Sequence, residues 1–150
     1  MDKNEILDRI DYLIDSSKTA VLATVDSEHW PHIRWMTPKR LRGRAQVIYA
    51  VSSPHLAKAA QLENNPCVEW MFQDRTLREV VVVRGRVNLI DNPALKAEIL
   101  EALGKQLLAF WKIAPEEPEL IVLETVIEEA VYYLPMDGTR QQVSFPARAI

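Results

Sequence analysis

The sequence predicts a mainly β (α+β) fold, an antiparallel β-barrel with short helices at its junctions. About six segments rich in Val, Ile, Thr and aromatic residues read as strands. The breaks between most of them are short and polar, as hairpins require. The helical patterns fall singly at junctions and do not alternate with every strand, which argues against a doubly wound parallel sheet.

Each element has its own warrant. Ile6, Ile10, Leu13 and Ile14 recur at helical spacing, and Asp2 or Asn4 can cap the start, so about residues 4–16 form an amphipathic helix. Residues 19–25 carry little polarity on either face and make a buried strand. Residues 26–29 turn the chain, and residues 31–37 return as the hairpin partner. A strand over about residues 45–51 runs into Ser52-Ser53-Pro54 and a short helix over residues 54–63. Residues 67–72 and 80–90 are the next strands. The second is long, β-branched and interrupted by Gly85, which marks a bulge or a close backbone approach. Asp91-Asn92-Pro93 starts a helix whose apolar face is Leu95, Ile99, Leu100 and Leu103. Residues 120–126 and 130–134 read as two closing strands. The tail beyond Pro135 shows no period and reads as an arm without regular structure. The chain is thus a single domain: helix 1–17, barrel 18–134, tail 135–150.

Composition narrows the chemistry. With 48% hydrophobic and 26% charged residues the chain is an ordinary globule. A formal net charge of −3 argues against nucleic acid as a partner. The dense basic run from Lys39 to Arg44 reads as a solvated hairpin loop. No apolar run approaches the roughly 20 residues of a membrane helix, and the first residues lack a signal-peptide layout. Cys67 is the only cysteine, which excludes an internal disulfide and a cysteine-based zinc site; it reads as a small buried hydrophobe. The expected compartment is the cytoplasm. His29, His32 and His55 do not pair at metal-binding spacing, and no P-loop, Rossmann or G-x-S-x-G motif is present.

Two segments hold candidate binding chemistry. Ser52, Ser53 and Lys58 gather hydroxyls and an ammonium where a strand meets a helix, an arrangement suited to a phosphate. The same residues also read as a serine cap with proline at the first helical position. Arg34, Trp35, Met36, Thr37 and Lys39 crowd the second strand and its exit. Period-two geometry sets Arg34 and Met36 on one face, Trp35 and Thr37 on the other. They suit an anionic, planar ligand, or else place an arginine on an edge strand. Trp111 either covers such a ligand or packs in the core.

In order and spacing these motifs resemble the pyridoxamine 5′-phosphate oxidase-like family of FMN-binding split β-barrels, general-stress-protein branch. The resemblance rests on Leu22-Ala23-Thr24-Val25-Asp26, Pro31-His32-x-Arg34-x-Met36, Lys58, Asn65-Pro66-x-Val68, Arg84-Gly85-Arg86 with Asp91, Phe110-Trp111, and Pro118 to Leu123. It implies a homodimer with FMN at the subunit interface. Arg34, Trp35, Met36, Thr37 and Lys39 would line the flavin; Val51, Ser52, Ser53 and Lys58 would hold its phosphate. Trp111 of the other subunit would shield one flavin face. The implied activity is hydride or electron transfer by the flavin on an unknown substrate, with a non-enzymatic flavin- or other-cofactor-binding stress protein as the alternative. Three positions depart from the family: His29 replaces a usual glycine, Leu56 and Ala57 replace the serine and arginine before the phosphate lysine, and the substrate-binding arginine and histidine have no counterpart after Tyr133.

Overall fold

A computed structural model describes residues 1–52, 62–110 and 120–146. Helix α1 (Lys3–Ser17) starts with a capping box. Asp2 accepts from the Glu5 backbone N–H at 2.8 Å, and Glu5 accepts from that of Asp2 at 2.7 Å. Strands β1 (Ala20–Val25), β2 (Pro31–Met36), β3 (Val47–Ser52), β4 (Cys67–Gln73) and β5 (Val80–Ile90) follow. Helix α2 (Pro93–Phe110) is two helical stretches joined at Gly104, whose backbone (φ 79°, ψ 159°) is not helical. Strands β6 (Ile121–Leu134) and β7 (Thr139–Ser144) complete the described fold. None of the described helices is long and apolar enough to cross a membrane.

All strand pairs are antiparallel, in the order β2-β1-β4-β5-β6-β3, with β7 also paired to β6. Just past β2, Lys39 exchanges both backbone hydrogen bonds with Tyr49 of β3, each at 2.7 Å. That bridge joins the two ends of the strand order, so the sheet closes on itself as a barrel. Two sequence expectations are corrected. Residues 121–134 hold one continuous strand, because β6 pairs with β5 along its length across a bulge. The tail contributes β7, which takes up the edge of β6 beyond the reach of β3.

The barrel interior is built from alternate strand residues, among them Leu22, Ile48, Val68, Trp70, Phe72, Val81, Val83 and Leu123; Ile6, Ile10, Leu13 and Ile14 of α1 join it. A second cluster lies where Val47, Tyr49, Val51 and Val122 meet Leu95, Ile99 and Leu103 of α2. Cys67 departs from expectation and is exposed, because the parity of β4 gives the interior to Val68, Trp70 and Phe72. The basic loop is partly engaged: Arg40 pairs with Asp11 of α1 at 2.7 Å, and Arg44 donates to the Tyr49 hydroxyl at 2.7 Å. Arg9 makes a two-point ion pair with Glu79, both contacts at 2.6 Å, tying α1 to the start of β5.

The β5–β6 register shifts between Arg84 and Gly85, leaving Glu128 as the extra residue. A Cβ on Gly85 would lie 2.4 Å from the Val126 carbonyl oxygen and 2.9 Å from Thr125 Cγ2. Since a backbone oxygen cannot rotate away, Gly85→Ala should destabilise the fold by about 2–4 kcal/mol. Urea unfolding measures this directly, and a loss within about 0.5 kcal/mol would show that β6 yields there without strain.

Candidate functional site

The alternation of β2 divides its residues between two environments. Met36 belongs to the barrel core, while Ile33 and Trp35 are 74% and 70% exposed on the outer surface. Arg34 shares the side of Met36. Its Nη2 donates to the buried Thr24 hydroxyl at 2.7 Å, whereas its Nη1 is buried without a hydrogen-bond partner. Burial holds the Arg34 guanidinium below its ordinary value, yet it stays cationic at neutral pH. Leaving a buried donor unmet costs about 1–3 kcal/mol, which an anionic ligand would offset.

The closing bridge adds the second half of the site. The bridge sits three residues beyond Met36, the last residue of β2, and three residues before Ser52, the last residue of β3. Ser52 and Thr37 are buried hydroxyls at this seam. Val51 is also buried but packs on the opposite side of β3, in the cluster beneath α2. Arg34 and Met36 thus lie on one side of β2, and Met36, Thr37 and Ser52 are buried on the two segments that the bridge joins. Two predicted residues point elsewhere. Lys39 gives its backbone to the bridge and lines a groove of about 490 Å³ with Asp11, Asp15, Arg40 and Arg42. Trp35 lines a separate outer groove of about 300 Å³ with Val21, Met71 and Gln73. Ser53, Lys58 and Trp111 lie outside the described residues, as does most of the expected helix over residues 54–63.

The hairpin tip beside Arg34 holds His32, which the sequence places next to the candidate anion site, and adds a partner for it, Asp26, that the sequence did not show. Asp26 Oδ1 accepts from the backbone N–H of Glu28 and of Trp30, each at 2.9 Å, and Oδ2 meets His32 Nε2 at 2.8 Å. The His32 contact first, and those backbone donors with it, hold the Asp26 carboxyl below its ordinary value. An aspartate at the head of a tight turn with a histidine on the returning strand was the available signal. Among the described residues no cluster of three or more His, Cys, Asp or Glu suits a metal ion.

The arrangement fits a ligand that carries negative charge because, among the described residues, the buried, unpartnered nitrogen belongs to a cation held by the Thr24 hydroxyl. The family model for pyridoxamine 5′-phosphate oxidase matches residues 6–133. The chain belongs to this oxidase family. The matched span runs from α1 almost to the end of β6 and includes every candidate residue from Arg34 to Trp111.

Solved structures show the family's split barrel at low sequence identity. A Clostridium acetobutylicum protein related to general stress protein 26 of B. subtilis aligns with TM-score 0.75 at 17% identity, covering 97% of each chain. General stress protein 26 from Bacillus anthracis gives 0.72 at 21%, covering 92% of this chain and 98% of its own. A pyridoxamine 5′-phosphate oxidase-related, FMN-binding protein from Nostoc punctiforme gives 0.68 at 14%, covering 93% and 96%. These likenesses carry the fold alone. No curated protein sequence matches the chain.

His29, which stands where members of the oxidase family usually carry glycine, has φ 68° in the β1–β2 turn. A left-handed conformation strains any residue with a Cβ, although histidine tolerates it better than most. His29→Gly should therefore raise stability by up to about 1 kcal/mol, read as an increased thermal or urea midpoint. A decrease would show that the imidazole contributes more than its backbone strain removes.

Proposed function

We propose that this chain is an FMN-binding flavoprotein of oxidoreductase type, working as a cytoplasmic homodimer with the cofactor at the subunit interface. The observation that carries the flavin reading is the buried, unpartnered Nη1 of Arg34 at the closing seam of a pyridoxamine 5′-phosphate oxidase-family barrel. When bound, FMN supplies the hydride or electron chemistry through its ring. The chain's own residues bind and orient. Arg34 offers charge to the polar side of the flavin, Met36 and the adjacent backbone give a flat apolar contact, and Ser52, Ser53 and Lys58 take the phosphate.

FMN titration followed by absorbance and flavin fluorescence tests this reading, with uptake expected and no uptake refuting it. Lys58→Ala should weaken FMN by about 1–3 kcal/mol and riboflavin much less, because only FMN has the phosphate. Equal losses for both would remove Lys58 from the phosphate site. Reduction of bound flavin by NADH or NADPH, followed by reoxidation, separates an oxidoreductase from a carrier that only stores flavin.

Support for the dimer comes from the outer face of the β1–β2 hairpin. Trp35 stands exposed beside Val21 and Met71, Ile33 is exposed on the same face of β2, and Trp30 at the turn is 66% exposed. Adjacent apolar exposure on this scale is characteristic of an interface. The protein should run as a dimer by light scattering, Trp35→Glu should shift it to monomer, and FMN affinity should fall with dissociation. A monomeric wild type, or a Trp35→Glu dimer that keeps its flavin, would overturn the interface.

A further inference from the structure

We propose that His32 is a second polar contact of the Arg34 site: a ring anchored on Asp26 through Nε2 that, as the imidazolium, donates its Nδ1–H to negative charge on the bound flavin. This rests on the flavin reading above and adds a residue to it.

Asp26 is a fixed point, since its Oδ1 is occupied by two backbone N–H groups of the turn. An ionised carboxylate only accepts hydrogen bonds, so the 2.8 Å contact assigns the proton to Nε2. This sets the ring's orientation and leaves Nδ1 for another partner. His32 lies directly across from Thr24 in the β1–β2 register, and Thr24 accepts the Arg34 hydrogen bond. His32 and Arg34 are alternate residues of one strand and therefore share a face. Next to the imidazole is thus the guanidinium whose Nη1 is buried and unpartnered. The His32 side chain is 44% exposed, so a ligand can reach it. In the imidazolium form both ring nitrogens donate: one is taken by Asp26, and the other is available to an anion. The charged groups of this hairpin are Asp26, Glu28 and Arg34; β1 opposite carries none, and Glu69 of β4 lies across from Ala23 of β1.

A flavin presents negative charge in two places, the phosphate and the reduced ring, and the experiment separates them. FMN and riboflavin affinities and the midpoint potential of bound flavin are compared for wild type, His32→Gln and Asp26→Asn. Glutamine can keep a donor toward Asp26 but lacks the second ring nitrogen. Asparagine keeps an oxygen for the turn but no longer accepts from Nε2. If His32 meets the phosphate, both variants lose roughly tenfold in FMN affinity and little in riboflavin affinity. If it meets the reduced ring, both lower the midpoint potential with either flavin. A changed environment of the His32 ring resonances on FMN addition, seen by NMR, is expected in both cases. Affinities within about twofold of wild type together with an unchanged potential would overturn the proposal. A lower melting temperature accompanying that result would assign the pair to the turn alone. Wild type that takes up no flavin refutes the flavin reading and this proposal together, whereas flavin-binding wild type with indistinguishable variants refutes only this one.

Discussion

The barrel depends on how β6 divides one edge between two partners. Along its other edge it pairs with β5 from Ile90↔Val122 to Val80↔Tyr133. On the shared edge it pairs with β3 up to Val126↔Val47 and with β7 from Glu129↔Ser144 onward. The hand-over falls at Ile127 and Glu128, whose backbones meet Gln46 and Phe145. That is also where Glu128 forms the bulge opposite Gly85. A bulge bends a strand and increases its twist. The bend in β6 thus coincides with the point where β3 leaves its edge and β7 takes it over. Glycine at position 85 is then a packing requirement, because the Val126 carbonyl occupies the space of a side chain.

The seam closed by this curvature also explains the placement of Arg34. A guanidinium on the inner side of an edge hairpin would ordinarily turn to solvent. Here one nitrogen is tied to Thr24 and another is buried without a partner. A fold does not gain by desolvating a donor and leaving it unmet. On the proposed flavin reading, the geometry would give the binding surface its charge in advance, with reorganisation completed during folding.

Much of this was legible in sequence because strand periodicity is local. Arg34 and Met36 on one face and Trp35 on the other follow from counting by two, and the structure places them so. The unusual residue at position 29 announced a turn under strain, and its φ of 68° agrees. The failures share a physical cause, dependence on a partner strand. β7 has weak apolar alternation of its own and is a strand because the far half of β6 leaves an edge unpaired. Residues 127–129 read as a break because Glu128 and Glu129 interrupt the apolar run, yet a bulge absorbs them within one strand. The Asp26–His32 contact requires the hairpin tip to be folded, so residue types alone could not distinguish an anchored imidazole from a turn histidine. Cys67 lies outside because the alternation that buries Val68, Trp70 and Phe72 puts it on the same face as Glu69, and an apolar residue type alone does not reveal that parity.

Family membership constrains fold and cofactor class more tightly than activity. The features specific to this chain bear on the difference. Leu56 and Ala57 stand where the oxidase family usually carries a serine and an arginine, so on the proposed FMN reading fewer polar groups would hold the phosphate. Arg34 remains, and its position suits charge that develops when a flavin ring is reduced. A storage protein gains from uniform grip on its ligand, whereas an oxidoreductase gains from contacts that strengthen as electrons arrive. A weakened phosphate cradle combined with a desolvated guanidinium follows the second pattern. On the proposed flavin reading, that combination is the one expected of redox chemistry rather than of storage.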